Sequence, residues 1–492
     1  MQLINSIQNK RQHLLFITAF LLLFTKLWQG HFEGDESCYA TLAREVLRSG
    51  DWLVLHHPYY AEWHNFYEHP PLNMLLIALS FKIFGVSDHA ARIPSAFLAF
   101  CTIALTFQVG KKLQDEDYGY IAAFILLTTQ YYLDRARAVF LDVPFGFFIL
   151  LAFYCLVLAS KNRNSVWSFL SGVAASLAFL LKGVPAIAAL ALAGISFLFS
   201  GSWERFWRLS ALYVAGLGLI LVPWTVAQLA CDQGRFFDWY FIRQVGSSMA
   251  GRGHVPESTT ATIASYFFYV QKLLLQVMVP WFIFAVLGSC SVIQSVKKEG
   301  GRERLLILVA ALFFIVGFSA VKFRQTSYIL PALPYLSLLA AEFFFRWRKE
   351  FILWANRLVL LLLVLVVIAG LLTPISFSSK KNNPMQAFLP SIQAYTAPGD
   401  SILAFSDDAY AMRHMISWYL DRPHRMCDSE EMFFTKLGQD GYEAAILKIS
   451  GNHLPNQVRP VAQSGQHYLY LKNLTFLLIK EPLLKSIRPR GE

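Results

Sequence analysis

The sequence predicts an α-helical polytopic membrane protein with about 11 to 13 spans and a small α/β domain at its C-terminal end. Of its 492 residues, 55% are hydrophobic and only 15% are charged, whereas soluble domains carry about 25% charged residues. Several apolar runs are about 17 to 22 residues long, which is enough to cross roughly 30 Å of hydrocarbon. After residue 380 the pattern changes to alternating polar and apolar stretches. Collagen, disordered chains, disulfide-rich miniproteins and cytosolic enzymes are excluded.

About eleven apolar segments have the length and composition of membrane spans. They cover residues 13–29, 91–110, 119–133, 143–160, 166–181, 184–200, 209–229, 273–295, 305–321, 328–345 and 352–374. A shorter stretch at 72–84 would raise the count if it also inserts. The first segment follows Lys10 and Arg11 like a signal peptide, but it lacks a small-x-small cleavage site and predicts an uncleaved span.

The distribution of basic residues predicts the orientation of the chain. Basic residues gather in short cytoplasmic loops, and every second connection here is short and basic if the N-terminus is cytoplasmic. These connections contain Lys111 and Lys112, Lys161 and Arg163, Arg205 and Arg208, Lys297 to Arg304, and Arg346 to Lys349. An odd number of spans then places the segment after Thr373 outside, in the periplasm if the protein is bacterial.

This topology divides the chain into a transmembrane domain, 1–379, and an outer α/β domain, 380–492. Strands are predicted at 402–405, 444–447 and 468–471, with a helix at 412–420 between the first two. Two outer connections of the transmembrane domain are long, at about 30–90 and 230–272. Because loops of this length usually carry function, we expect the chemistry on the outer face.

The net charge of +11 is explained by basic residues in cytoplasmic loops, where they contact phospholipid head groups. Membrane lipids are therefore expected partners, and nucleic acid is not. The six cysteines form no CxxC pair and have no zinc-finger spacing. Cys38, Cys231 and Cys427 fall in segments predicted to lie outside, which leaves room for one disulfide without indicating the pair.

Carboxylates at the outer ends of spans are the first candidate functional residues. Asp35 and Glu36 follow span one directly, and Asp142 begins span four. A carboxylate at a membrane boundary is costly unless it faces a cavity or a partner. The structural alternatives are capping of a helix N-terminus by Asp35 and Glu36, and an ion pair of Asp142 with Arg135 or Arg137.

Basic residues on the outer face break the charge rule that holds elsewhere. They are Lys182, Lys322 and Arg324, and the second long loop adds Arg243, Arg252 and His254 on the same face. A snorkelling lysine is the alternative for Lys182. Glu68 and His69 precede a Pro-Pro pair in the first long loop and are weak candidates for binding a metal or a phosphate.

Carboxylates and cations at one membrane depth suit a lipid-phosphate-linked substrate. Lys and Arg would neutralise its phosphate, above all if the phosphate leaves. A carboxylate would act as a general base or stabilise positive charge at an anomeric carbon. The pattern therefore predicts transfer from a lipid carrier.

An ordered set of motifs between about residues 30 and 340 resembles bacterial GT-C membrane glycosyltransferases. The resemblance is greatest to 4-amino-4-deoxy-L-arabinose lipid A transferases and to enzymes similar to protein O-mannosyltransferases. The motifs are Gly34-Asp35-Glu36, Glu68-His69-Pro70-Pro71, Arg92-Ile93-Pro94, Leu141-Asp142-Val143-Pro144, Lys182-Gly183, Pro280-Trp281, and Lys322 with Tyr328 to Pro334.

The resemblance implies a GT-C bundle with an outer C-terminal domain, and an inverting transfer of a sugar from a polyprenyl phosphate such as undecaprenyl phosphate. It implies catalytic roles for Asp35, Glu36 and Asp142. Phosphate contacts are implied for Lys182, Lys322, Arg324, Arg252 and His69, the last in place of the usual lysine. No cofactor is firmly implied, although Glu68 and His254 lie where a divalent metal could bind.

The expected location is the bacterial inner membrane, and the expected acceptor is lipid A or lipopolysaccharide. A protein or another envelope glycan is the alternative acceptor, and a flippase for lipid-linked sugars is the alternative from another class of protein. A flippase is disfavoured because the ionisable residues lie at one face and no inverted repeat is visible.

Overall fold

The computed structural model describes residues 11–32, 34–59, 64–161, 164–250, 266–295, 301–371, 384–439, 442, 444–448, 460–464 and 466–471. Each of the eleven predicted spans contains helix. The main apolar helices are Arg11–Phe24, Leu72–Phe84, Asp88–Leu113, Glu116–Leu127, Asp142–Lys161, Val166–Lys182, Ile187–Leu198, Trp203–Asp232, Trp281–Ser295, Gly301–Ala320, Leu333–Phe344 and Arg348–Leu371.

Five helical stretches of the described chain are long and apolar enough to cross a membrane, and several shorter apolar helices accompany them. The last of the five, Thr326–Gly370, joins the two predicted spans 328–345 and 352–374 through a short 3-10 turn at Phe345–Trp347. The predicted span 119–133 is broken after Leu127, and a separate short helix, Gln130–Ala136, follows. The predicted helical bundle is confirmed.

Local sequence fixes several helix starts. Ser87, Asp115 and Ser202 accept hydrogen bonds from the backbone N–H groups of residues 90, 118 and 205 at 2.9 to 3.2 Å. Such side chains satisfy N–H groups that have no partner within the helix. The helix Glu116–Leu127 then lies in the core of the bundle, and every side chain from Tyr118 to Leu127 is buried.

The basic connections meet at one end of the bundle, here called the basic end. Arg11 pairs with Asp117 at 2.5 Å, and Arg304 pairs with Glu342 at 3.2 Å. Lys161 donates to the carbonyl of Lys112 at 2.6 Å. The opposite ends of the helices Asp88–Leu113, Asp142–Lys161 and Val166–Lys182 carry Asp88, Asp142 and Lys182. The candidate site residues therefore lie at the end opposite to the basic one.

The C-terminal region forms a mixed sheet with strand order β2-β1-β3-β5-β4. The strands are β1 Ile402–Ser406, β2 His424–Met426, β3 Ala444–Lys448, β4 Ala462–Ser464 and β5 His467–Leu471. β1 is parallel to β2 and β3, whereas β5 is antiparallel to β3 and β4. The three predicted strands are confirmed, and the three-residue strands β2 and β4 were not predicted.

The helix predicted at 412–420 begins earlier, as Ala409–Met415, and continues as a π-helical segment, Ile416–Leu420. Helices Pro384–Tyr395 and Glu430–Gln439 complete the region. The expected domain boundary at 379 and 380 lies outside the described residues. All six cysteines are free, so no disulfide joins Cys38, Cys231 or Cys427.

Candidate active site

The first long loop begins with the helix Asp35–Ser49, which positions both predicted acids. Gly34 precedes this helix with a φ of 51°, and no side chain caps it. Asp35 instead accepts a hydrogen bond from the Tyr410 hydroxyl at 2.8 Å. Glu36 is buried and accepts from the backbone N–H of Val139 at 3.2 Å. Neither side chain caps the helix, although both lie in its first turn, where the helix dipole favours a negative charge.

Asp142 and Lys182 form a buried ion pair at the same end of the bundle, with 4% and 7% of their surfaces exposed. The Lys182 ammonium also lies 4.0 Å from the centre of the Tyr328 ring, a cation–π arrangement. Asp142 begins its helix and Lys182 ends its own, so two spans bring the charges together.

The ion pair considered as an alternative for Asp142 is present, but its partner is Lys182 and not Arg135 or Arg137. Arg137 donates to the carbonyls of Leu22 and Thr25 at 2.6 and 2.8 Å, where the first helix ends. Its guanidinium has several donors in a planar fork, which suits a set of carbonyls left without helical partners. Arg135 lies over the rings of Tyr131 and Phe140.

Asp35, Glu36, Asp142 and Lys182 form one electrostatic neighbourhood. Burial raises the pKa of Asp35, the hydrogen bond from Tyr410 lowers it, and the charges of Asp142 and Glu36 raise it further. The charge of Lys182 lowers it, but the net direction is upward. Asp35 is therefore a stronger base than a carboxylate at the surface.

The Pro-Pro motif brings two further predicted residues close to these groups. Burial, followed by the negative charge of Asp35, raises the pKa of Glu68 to about 7. Burial, followed by the positive charge of Lys182, lowers the pKa of His69 to about 3. At neutral pH, His69 therefore offers a neutral imidazole to a phosphate and not a positive charge.

The remaining predicted cations have different surroundings. Lys322 is exposed after the helix Gly301–Ala320, and Arg324 is buried and donates to the carbonyl of Ser319 at 2.9 Å. Neither forms a hydrogen bond or an ion pair with Asp142 or Lys182 in the described part of the chain. Arg252 and His254, the second residue of the predicted Glu68–His254 metal pair, lie outside the described residues.

Sequence reasoning missed the contribution of the C-terminal domain. Tyr410 contacts Asp35 across 375 residues of chain. Asp88 accepts from the Trp418 indole at 2.7 Å and from the Tyr419 hydroxyl at 2.9 Å. No motif marks Tyr410, because an aromatic residue on a short helix is ordinarily a packing residue. Only the docking of the domain on the first loop reveals it.

A helical membrane bundle with buried acids and a lysine at one end, covered by a small α/β domain, has the architecture of GT-C glycosyltransferases. Residues 68–227 match the family described as dolichyl-phosphate-mannose-protein mannosyltransferase. The fold is similar to that of the ArnT protein from Cupriavidus metallidurans bound to undecaprenyl phosphate, with a TM-score of 0.70 and 18% identity over 94% of this chain and 98% of that one.

The fold is also similar to that of an archaeal oligosaccharyltransferase, AglB from Archaeoglobus fulgidus. That structure gives a TM-score of 0.61 at 12% identity and covers 90% of this chain and 70% of the other. These structural similarities establish the fold and confirm the GT-C fold class that the resemblance implied.

Two curated relatives are named undecaprenyl phosphate-alpha-4-amino-4-deoxy-L-arabinose arabinosyl transferases. The one from Pseudomonas fluorescens (strain Pf0-1) is 26% identical over 373 residues, which are 73% of this chain and 64% of the relative. The one from Pseudomonas aeruginosa (strain UCBPP-PA14) is 24% identical over 82% of this chain and 74% of the relative. The chain thus spans less than two thirds of the first relative. The resemblance to glycosyltransferases with lipid-phosphate donors is confirmed.

Proposed function

We propose that this protein is an inverting glycosyltransferase that moves a sugar from a polyprenyl-phosphate donor to lipid A or lipopolysaccharide on the periplasmic face of the inner membrane. The observation that carries this proposal is the meeting of Asp35, Glu68, and the Asp142–Lys182 pair at the end of the bundle opposite to the basic connections. The names of the relatives support undecaprenyl phosphate as the carrier and 4-amino-4-deoxy-L-arabinose as the first sugar to test.

The donor phosphate needs a cation in a place where little water competes. Lys182 fulfils this requirement because it is buried and already held by Asp142 and the Tyr328 ring. A phosphate bound beside Lys182 would also form a charge-assisted hydrogen bond with its ammonium, and the ion pair of Lys182 with Asp142 would then be weaker. Lys322 is exposed and free to approach the same phosphate, with Arg324, His69 and Arg252 as the further proposed contacts.

The lipid tail needs an apolar surface that faces the bilayer. The helix Trp203–Asp232 offers one, because only a small part of it is buried and it exposes Val214, Leu219, Val222 and Val226. A polyprenyl chain along such a helix would leave its phosphate at the membrane boundary.

In the transfer step, an acceptor oxygen attacks the anomeric carbon on the face opposite to the phosphate. The new carbon–oxygen bond forms as the bond to the polyprenyl phosphate breaks, and the phosphate leaves with the electron pair. If the acceptor is a hydroxyl, its proton passes to Asp35, whose raised pKa suits a base. If the acceptor is an anionic lipid A phosphate, no base is needed and Asp35 orients the donor sugar or stabilises its developing charge.

The test is mass spectrometry of lipid A, envelope glycans and proteins from a strain lacking the gene, complemented with the wild type, Asp35→Asn or Glu45→Gln. Glu45 lies on the same helix as Asp35, so Glu45→Gln is the matched control. We expect a sugar-sized mass on lipid A with the wild type and the control but not with Asp35→Asn.

A mass that is lost from proteins or another glycan would reassign the acceptor and overturn the lipid A proposal. If lipid A, glycans and proteins are the same in all strains and Asp35→Asn still supports lipid transport, the glycosyltransferase hypothesis is overturned in favour of a flippase.

A further inference from the structure

Cys38, His57 and His414 form a buried cluster beside the candidate active site. Cys38 Sγ and one ring nitrogen from each histidine all lie within 4.8 Å of one another. The three residues expose 1%, 7% and 3% of their surfaces. They come from three separate segments: the first-loop helix, the loop after it, and the C-terminal helix Ala409–Met415.

We infer that Cys38, His57 and His414 bind a zinc ion that joins the first long loop to the C-terminal domain. A thiolate with two imidazoles is a ligand set that Zn²⁺ prefers, whereas Mg²⁺ and Ca²⁺ prefer oxygen ligands. Binding would replace the thiol proton of Cys38, which leaves to solvent, and three protein ligands leave a fourth position for water. The site is distinct from Glu68 and His254.

The geometry is close to what zinc requires. Bonds of about 2.3 Å to sulfur and 2.0 to 2.1 Å to nitrogen place tetrahedral ligand atoms roughly 3.4 to 3.6 Å apart. Ligand atoms that lie within 4.8 Å of one another need only small side-chain rotations to reach that spacing. The centres of the His57 and His414 rings lie 5.6 Å apart, and the angle between the ring planes is 33°.

Simple packing is a poorer explanation of the cluster. The ring of His57 packs against Phe66, and that of His414 packs against Tyr410 at 4.5 Å. Apolar side chains would pack equally well in this space, so packing alone does not explain why these residue types meet here. Three separate segments each contribute a cysteine or a histidine, which are the residue types that bind zinc most often.

The position gives the ion a role in holding the candidate active site together. Cys38 lies one helical turn from Asp35, and His414 lies one turn from Tyr410, the residue that donates to Asp35. An ion bridging Cys38 and His414 would fix the register of the two helices and hence the contact between Tyr410 and Asp35. The three ligands are therefore positioning residues.

The experiment is cobalt and zinc binding to the purified full-length chain in detergent, with an affinity tag that contains no histidine. Bound Co²⁺ should give a thiolate-to-cobalt charge-transfer absorption, which a site made of Glu68 and His254 has no sulfur to produce. We expect this absorption in the wild type and its loss in Cys38→Ser. His414→Gln should weaken cobalt binding by at least about tenfold, since even indirect partners of metal ligands cost 10- to 100-fold.

The matched controls are Cys231→Ser and Cys427→Ser, which should keep the absorption. Thermal unfolding with and without added zinc distinguishes metal loss from misfolding. Zinc should raise the Tm of the wild type and the controls, whereas Cys38→Ser should fold with a Tm near that of the metal-free wild type and not respond.

Absence of the charge-transfer absorption in the wild type, or its persistence in a folded Cys38→Ser variant, would overturn the inference. These readouts involve no sugar transfer, so failure of the proposed function would leave them unaffected.

Discussion

Asp35 combines burial, two neighbouring carboxylates and a single tyrosine donor, a combination that is unfavourable for its charged form. Because its folded pKa lies above the ordinary value, ionised Asp35 makes the folded state less stable as the pH rises through that pKa. Because Asp35 lowers the stability of the folded state, a role in the reaction explains its presence better than a role in stability does.

Asp35→Asn should therefore abolish transfer without lowering the Tm. The asparagine can still accept the hydrogen bond from Tyr410, and it removes the repulsion from Asp142 and Glu36. We expect the Tm of the variant to equal or exceed that of the wild type at pH 7, with a smaller difference at pH 4. Thermal unfolding across pH in detergent measures this, and a clearly lower Tm at pH 7 would identify Asp35 as a structural residue.

The Asp142–Lys182 pair provides the second residue-scale prediction. Removing one partner leaves an unpaired buried charge, so Asp142→Asn or Lys182→Met should each destabilise the fold by about 3 to 5 kcal/mol. The double variant removes both charges and should recover much of that loss while remaining inactive, because the proposed phosphate contact is gone. Thermal unfolding with a transfer assay tests both points, and an active double variant would contradict the role of Lys182.

These residues also show what sequence can and cannot predict about a site. Asp35, Asp142 and Lys182 were predicted because a charge at a membrane boundary is costly, and a charged residue beside an apolar run can be recognised from the sequence alone. The sequence offered only the neighbouring arginines as possible partners of Asp142, because they are close along the chain, whereas its partner Lys182 comes from a different span. Tyr410 carries no such signal, because its value depends on how two domains dock.

Among the elements, the first-loop helix Asp35–Ser49 holds the C-terminal domain through Asp421. Arg44 lies 2.9 Å from Asp421, Arg48 pairs with it, and Tyr59 donates to it at 2.6 Å. Partial burial raises the pKa of Asp421, but the hydrogen bonds from Arg48 and Tyr59 and the charges of Arg44 and Arg48 give a net decrease.

Asp421→Asn should loosen the domain on this helix by about 1 kcal/mol, the range of partly exposed ion pairs. Because the folded pKa is lowered, the contribution is fully present above the ordinary value near 3.8 and is lost as the pH falls through the lower folded value. Hydrogen exchange of residues 409–420 should be faster in the variant at pH 7, and the difference from the wild type should shrink as the pH falls below about 3.8. Equal exchange at pH 7 would show that Asp421 does not hold the domain.

Two helices of the bundle cross through reciprocal glycines. A Cβ on Gly172 would lie 2.1 Å from the carbonyl oxygen of Tyr213, and a Cβ on Gly216 would lie 2.1 Å from that of Phe169. Small residues allow membrane helices to approach this closely. Gly216→Val should therefore destabilise the fold by about 1 to 3 kcal/mol through overpacking.

Gly194→Val is the matched control, because a Cβ there has nothing within 4 Å. Both substitutions place a valine in an apolar helix, so the difference between their Tm values measures the cost of overpacking the helix crossing. Equal Tm values would show that the helices separate at little cost.

The limits of the sequence at this scale have physical causes. Spans were predictable because the length of an apolar run is set by the thickness of the bilayer. The break after Leu127 was not, since the hydroxyls of Thr128 and Thr129 bond to carbonyls of the preceding helical turn, as threonines do within continuous helices. The strands β2 and β4 have only three residues each, too few for an alternating pattern to be recognised.

For the whole molecule, the structure separates two kinds of charge along one axis. The basic connections form ion pairs and carbonyl contacts at one end, whereas the buried acids and Lys182 lie at the other. The positive-inside rule assigns the first end to the cytoplasm. With that orientation, the C-terminal domain and the proposed substrates would lie on the outer face, where a lipid-linked donor would meet the proposed acceptor, lipid A.

This orientation predicts which cysteines an impermeant maleimide labels in intact spheroplasts. Cys231 is exposed in the last turn of the helix Trp203–Asp232, which starts at the basic end, so a variant that retains only this cysteine should be labelled directly. Asn164 is exposed in a basic connection, so Asn164→Cys in a cysteine-free chain should be labelled only after permeabilisation. The reverse labelling pattern would mean that the chain has the opposite orientation and that the candidate site faces the cytoplasm. That result would contradict the proposed transfer to a periplasmic acceptor.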